Sequence, residues 1–128
     1  MATKVLIVED DLLNRMFYEA VLQQRGYELM LVDDGARVMD AVEAFAPDLI
    51  TMDINLPNVS GRKLIRQISR NPRTANIPIL AITAFASKRD EDEIRRAGAR
   101  AYLTKPLSIS RLNHEVDALL EVAPGQAA

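Results

Sequence analysis

The chain has 128 residues, a formal net charge of −2 and no cysteine. Its length predicts one domain, and the lack of cysteine excludes a disulfide framework, a thiolate metal site and a cysteine nucleophile. Charges of both signs are interspersed and no signal peptide or long apolar run is present, so we expect a cytoplasmic protein that neither binds nucleic acid directly nor inserts into a membrane.

Apolar, β-rich runs alternate with helical patterns in the first part of the chain. Residues 5–8 predict the first strand, which runs into three acids, and Asp11 is a suitable N-cap for the first helix. The predicted inward face of this helix consists of Leu13, Phe17, Ala20, Val21 and Gln24. Gly26 is expected to stop it. Residues 29–32 predict the second strand, and a second helix follows with its apolar face at Val38, Ala41, Val42 and Phe45.

The third strand, Leu49 to Met52, is a short apolar run that stops at Asp53. A lone carboxylate at the end of a buried strand is costly unless something compensates its charge. In open parallel sheets, that edge is where ligands bind. On this stretch alone, the role of a helix cap or turn residue is an equal alternative for Asp53.

The second half of the chain continues the alternation. Ser60 opens a third helix, whose inward residues are Leu64, Ile65 and Ile68. Residues 79–83 predict the fourth strand, and residues 101–104 predict the fifth. The fourth helix, residues 88–97, has only Ile94 and Ala97 as an apolar stripe, so we expect it to dock weakly and to be mobile. The last helix has a Ser108 cap and an apolar face at Leu112, Val116, Leu119 and Leu120.

Five β–α units in strict alternation predict an α/β fold with a five-stranded parallel sheet. Helices would cover both faces of this doubly wound, flavodoxin-like (βα)5 sheet, with right-handed crossovers. We expect residues 1–122 to form the domain and residues 123–128 to form a flexible C-terminal tail.

Reactive side chains follow four of the five predicted strands. They are Glu9 and Asp10 after the first, Asp53 after the third, Thr83 at the end of the fourth and Lys105 after the fifth. In a doubly wound sheet these ends meet at one crevice. Two carboxylates ~4 Å apart repel by roughly 4 kcal/mol at an effective dielectric of about 20. Either one acid is neutral because its pKa is raised, or a hard cation such as Mg²⁺ or Mn²⁺ binds; we favour the cation.

A carboxylate beside a divalent ion can attack phosphorus and form an aspartyl phosphate. Lys105 would supply a second positive charge, and the Thr83 hydroxyl could donate to a phosphoryl oxygen. Residue 55 would offer its backbone carbonyl to the metal, which asks little of its side chain. Taken singly, each of these residues has an ordinary alternative role. Glu9 and Asp10 could cap the first helix, Thr83 could be an ordinary strand residue, and Lys105 could be a surface lysine. His114, the one histidine, lies in the last helix and has no catalytic role in this interpretation.

Four motifs together carry a resemblance to a known family. They are Val8-Glu9-Asp10-Asp11, Met52-Asp53-Ile54-Asn55-Leu56-Pro57, Ile82-Thr83-Ala84 and Tyr102-Leu103-Thr104-Lys105-Pro106. With these motifs and their spacing, the chain resembles the receiver domain of two-component response regulators, the CheY-like superfamily, over residues 4 to about 121. It looks most like the single-domain type that controls cell division.

The resemblance implies a role for each site residue. Asp53 would be the phosphoacceptor, and Glu9, Asp10, Asp53 and the Asn55 carbonyl would hold Mg²⁺. Glu9 stands where many members have aspartate, so Asp10 is expected to be the more direct ligand. Thr83 and Lys105 would contact the phosphoryl group.

The resemblance also implies a switch. Tyr102 would turn inward when Thr83 moves towards the phosphate, with Ala84 leaving room. The Lys105–Pro106 peptide bond would be cis and would aim the lysine inward. Phe85 is apolar where some members position the attacking water, so we expect a fairly long-lived phosphoryl group.

The implied function is that of a phosphorelay switch without a DNA-binding output domain. Its phosphodonor would be a sensor histidine kinase, a histidine phosphotransferase or both. It would catalyse only its own phosphorylation and dephosphorylation. A downstream protein partner would read the fourth helix, fifth strand and fifth helix around Arg95, Tyr102 and Leu107. The chain is expected to be a monomer, with dimerisation on phosphorylation left open.

Three other interpretations remain. A flavodoxin-like nucleotide binder would need a Gly- or hydroxyl-rich phosphate loop after the first strand, where this chain has three acids. A haloacid-dehalogenase-type phosphatase needs a second acid two residues after its nucleophile, where this chain has Asn55. A degenerate receiver that acts only as a scaffold is the third interpretation, and the full set of site residues speaks against it.

Overall fold

The computed structural model describes residues 2–84 and 87–121 of the chain, and the predicted tail at residues 123–128 and Phe85 lie outside them. The elements alternate as predicted. In chain order they are β1 (Lys4–Val8), α1 (Leu12–Gln23), β2 (Glu28–Val32), a 3-10 turn (Gly35–Arg37), α2 (Val38–Phe45), β3 (Leu49–Asp53), α3 (Gly61–Arg70), β4 (Ile79–Thr83), α4 (Lys88–Ala97), β5 (Ala101–Thr104) and α5 (Ile109–Glu121).

The five strands form one parallel sheet in the order β2-β1-β3-β4-β5. The chain reverses its direction across the sheet between β1 and β3, which is where doubly wound folds bind ligands. In the register, Val8 of β1 is beside Met52 of β3, and Asp53 is beside Ile82 of β4. The residues that follow β1 and end β3 therefore come together at the carboxyl edge of the sheet.

Two hydrophobic clusters cover the two faces of the sheet. On one face, α2, α3 and α4 pack over residues of β1, β3 and β4; on the other face, α1 and α5 pack over the same sheet. All five side chains of β3 and of β4 are buried. This two-sided burial explains why the strands are continuous apolar runs rather than alternating patterns.

The buried face of α1 differs from the predicted one. Its buried residues are Tyr18, Val21 and Leu22, whereas Leu13 is 75% exposed. The predicted face omitted Tyr18. Its aromatic ring packs into the core although the side chain ends in a polar hydroxyl group. Moving the face by one residue turns it by about 100° around the helix axis. Of the predicted positions, Val21 is buried and Phe17 packs at the edge of the core.

Helix α4 has the thin apolar stripe that its sequence predicts. Ile94 and Ala97 are its buried residues, and the Ser87 hydroxyl accepts from the Asp90 N–H at its start. Besides this apolar packing, an ion pair of 2.6 Å between Arg62 and Glu93 joins α4 to α3. The mobility of α4 stays a prediction.

Within the described part of the chain, none of the helices has the length and apolar character needed to cross a membrane.

Candidate functional site

Three acids meet at the carboxyl edge of β1 and β3. Glu9, Asp10 and Asp53 each offer a carboxylate oxygen, and these oxygens all lie within 4.8 Å of one another. Glu9 is fully buried and Asp53 is 2% exposed, whereas Asp10 is exposed. The cluster is therefore buried at Glu9 and Asp53 and accessible to solvent at Asp10.

The Glu9 carboxylate is only partly satisfied by the protein. Its Oε2 accepts from the Asp11 N–H at 3.1 Å. Its Oε1 is buried and has no hydrogen-bond partner among the described residues, although the Lys105 ammonium lies 3.1 Å away as an ion pair. Burial raises the pKa of Glu9 from 4.5 to about 7, and the neighbouring acid Asp53 adds to this rise.

The Asp53 carboxylate serves the local turn and the site at once. Its Oδ1 accepts from the Asn55 N–H at 2.9 Å, which is the contact expected of a turn aspartate. Its Oδ2 lies 3.5 Å from the Lys105 ammonium. The turn role considered from the sequence is thus real, and it leaves one carboxylate oxygen facing the crevice.

Lys105 follows β5 and brings a positive charge to both buried acids. Burial alone would lower its pKa, but the charges of Asp53 and Glu9 outweigh burial and raise the pKa of Lys105. The ammonium therefore stays charged beside the carboxylates at neutral pH. The Lys105–Pro106 peptide bond is cis, as predicted.

Thr83 ends β4 as predicted, but its surroundings include a contact that the sequence did not indicate. The Thr83 Oγ1 donates to the Asn55 Oδ1 at 3.2 Å, and the Ala84 N–H donates to the same oxygen at 3.0 Å. The idea that the Asn55 side chain matters little is therefore incomplete. Only the choice of an amide two residues after Asp53, in a turn, could have signalled this contact.

Tyr102 lies on β5, at the edge of the sheet. Its ring is half-buried and packs against the core cluster that contains Ile94. Burial and the nearby charges of Glu91 and Asp90 raise the pKa of its hydroxyl. Tyr102 therefore touches the same core as α4, while His114 is exposed on α5.

The acid cluster fits a hard divalent cation. Its donors are three carboxylates, which suit Mg²⁺ or Mn²⁺. The buried Glu9 Oε1, which accepts no hydrogen bond from any residue that the structure describes, is an oxygen that a cation would satisfy. The exposure of Asp10 would allow waters to complete the coordination. A contribution from the Asn55 carbonyl stays a prediction.

Comparison with known sequences gives one consistent result. Residues 5–117 match the family model described as "Response regulator receiver domain". The chain is 38% identical over 120 residues to the "Polar-differentiation response regulator DivK" of Brucella anthropi and to that of Brucella ovis. Each alignment covers 94% of this chain and 98% of the relative.

Comparison with solved structures gives the same fold. A putative response regulator from Chloroflexus aurantiacus is 30% identical, with a TM-score of 0.89 over 94% of this chain and 98% of that one. The chemotaxis protein CheY4 of Vibrio cholerae is 26% identical, with a TM-score of 0.88 over 93% of this chain and 99% of that one. The CheY-like arrangement of strands and helices is therefore shared.

Proposed function

Because this chain belongs to the response regulator receiver domain family, we propose that it accepts a phosphoryl group from a phosphohistidine onto Asp53 and thereby changes its protein-binding surface. The observation that carries this proposal is the position of Asp53. Its buried carboxylate ends a central strand, with the Lys105 ammonium 3.5 Å from Oδ2 and two further acids beside it. A buried acid with only a structural role would need neither the ammonium nor the two further acids beside it.

The transfer is a displacement at phosphorus. An Asp53 oxygen forms the new P–O bond as the P–N bond to the donor imidazole breaks, and the bonding electron pair stays on the imidazole nitrogen. Lys105 would offset charge on the phosphoryl oxygens, and the hydroxyl of Thr83, which ends the neighbouring strand, would donate to one of them. Glu9, Asp10 and Asp53 would hold the cation, which when bound neutralises and orients the phosphoryl oxygens.

Helix α4 and strand β5 are the proposed route to the output surface. The Thr83 hydroxyl would turn towards the phosphoryl group, and Tyr102 would follow it inward. Helix α4 buries only Ile94 and Ala97, so a small free-energy difference can shift its position. A downstream protein would read the face formed by α4, β5 and α5 around Arg95, Tyr102 and Leu107.

The proposed partners are a sensor histidine kinase or a histidine phosphotransferase as donor, and a protein as target. The relatives named as polar-differentiation regulators favour a developmental or cell-cycle role of the same kind. The chain would act as a switch, with no catalysis beyond its own phosphorylation and dephosphorylation. A cytoplasmic location and a monomeric state stay predictions, and dimerisation on phosphorylation stays open.

Intact-protein mass spectrometry tests the phosphoacceptor directly. The wild type, incubated with Mg²⁺ and phosphoramidate, is expected to gain one acid-stable, base-labile phosphoryl group. Asp53→Asn should gain none, whereas Asp40→Asn, an exposed acid on α2, should behave as wild type. No mass gain in the wild type, or a gain that survives in Asp53→Asn, would refute the proposal.

A further inference from the structure

The Asn55 side chain bridges the end of β3 to the end of β4. Its Oδ1 accepts from the Thr83 hydroxyl at 3.2 Å and from the Ala84 N–H at 3.0 Å. A backbone N–H can only donate, so the amide atom that faces Ala84 must be the oxygen. The orientation of the Asn55 amide is therefore settled by its partner.

The two donors that Asn55 engages belong to the residues that directly follow the β4 partner of Asp53 in the sheet. Thr83 is 1% exposed, and Asp53 is paired with Ile82, the residue before Thr83. A phosphoryl group on Asp53 would bring three acceptor oxygens to this edge of the sheet. Those oxygens would need the hydroxyl and the N–H that one amide oxygen now occupies.

We propose that the Asn55 Oδ1 is an internal substitute for a phosphoryl oxygen, which holds the Thr83 hydroxyl and the Ala84 N–H until a phosphoryl group displaces it. This inference rests on the proposed function. Asn55 is then a positioning residue that acts through Thr83. Because Asn55 is exposed, its displaced amide can be solvated by water, so release leaves no buried polar group unpaired.

Competition predicts the effect of removing the side chain. Without the Asn55 amide, the phosphoryl group or its mimic no longer has to displace the Asn55 Oδ1 from these two donors. The affinity for beryllofluoride in the presence of Mg²⁺ should therefore rise in Asn55→Ala by about three- to tenfold, the change expected from one hydrogen bond. The backbone carbonyl of residue 55 is retained in this variant.

The titration compares wild type, Asn55→Ala and Asn58→Ala, with binding followed by NMR. Asn58 is an exposed asparagine in the same loop and is the matched control. Tighter binding in Asn55→Ala, with Asn58→Ala equal to wild type, supports the proposal. Equal or weaker binding in Asn55→Ala overturns it. If the wild type itself does not bind beryllofluoride with Mg²⁺, the proposed function fails instead.

Amide hydrogen exchange in metal-free buffer gives a second readout that does not depend on phosphorylation. The Ala84 N–H should exchange faster in Asn55→Ala than in wild type. Asn55→Asp keeps an oxygen at this position and should restore slow exchange. An unchanged Ala84 rate in Asn55→Ala would show that the contact does not restrain the end of β4, and would overturn the proposal.

Discussion

The ammonium of Lys105 lies 3.1 Å from Oε1 of Glu9, a fully buried carboxylate oxygen with no hydrogen-bond partner in the described part of the chain. The ion pair does not offset the full cost of placing a charge here, because burial and the neighbouring Asp53 together raise the pKa of Glu9 to about 7. Glu9 therefore makes the stability of the metal-free domain depend on pH.

The first prediction concerns stability against pH in EDTA. The folded-state pKa of Glu9 is about 7 and the ordinary value is 4.5, so the folded chain holds this proton more tightly. The resulting stability is complete below pH 4.5 and is lost as pH rises through 7. Relative to Glu9→Gln, the free energy of unfolding should fall by about 3 kcal/mol over this window.

Urea denaturation at several pH values measures this dependence. Glu9→Gln should flatten the profile because the group that titrates is gone. Glu43→Gln removes an exposed acid on α2 and should keep the wild-type profile. Identical profiles for wild type and Glu9→Gln would contradict the prediction.

The second prediction concerns metal binding. If Glu9, Asp10 and Asp53 hold Mg²⁺, then adding Mg²⁺ should raise the melting temperature of the wild type, since a ligand that binds the folded state stabilises it. The increase should be smaller at pH 5.5 than at pH 8, because carboxylates must lose their protons to bind the ion. Asp10→Ala should reduce the increase at both pH values, and Glu43→Gln should not. An equal increase in Asp10→Ala would place the metal elsewhere.

The fold was predictable because the central strands β1, β3 and β4 are buried on both faces and read as continuous apolar runs, and because turn residues separate the strands from the helices. The site was predictable because the reactive residues end different strands, and a parallel sheet brings those ends together. The Asn55 contact was not predictable, since it depends on how a turn folds back towards β4. The face of α1 was misplaced because periodicity alone could not decide whether Leu13 or Tyr18 lies inward.

The third prediction tests the corrected face of α1. Leu22 is fully buried and Leu13 is 75% exposed in the same helix. Leu22→Ala should lower the free energy of unfolding by about 2–5 kcal/mol through lost burial and a cavity. Leu13→Ala should change it by less than about 0.5 kcal/mol, as expected for a surface position. Chemical denaturation at fixed pH compares the two, and a larger loss in Leu13→Ala would restore the face predicted from the sequence.

The fourth prediction concerns the glycine that begins α3. A Cβ on Gly61 would lie 2.6 Å from the Asp53 carbonyl oxygen and 2.7 Å from the Ile54 Cα, both backbone atoms. Gly61→Ala must therefore shift the end of β3, at a cost of about 1–3 kcal/mol in stability. The shift would move the Asp53 carboxylate, so the rate of phosphorylation by phosphoramidate should also fall.

Gly26→Ala is the control for Gly61→Ala. Gly26 has a positive φ of 83° but open space around its Cβ position, so alanine there strains only the local backbone. This variant should lose about 1–2 kcal/mol of stability and keep the wild-type rate of phosphorylation. Of these two glycines, only Gly61 lies against the strand that carries the acceptor. Equal rates of phosphorylation in the two variants would therefore show that the close approach of Gly61 to β3 does not position Asp53.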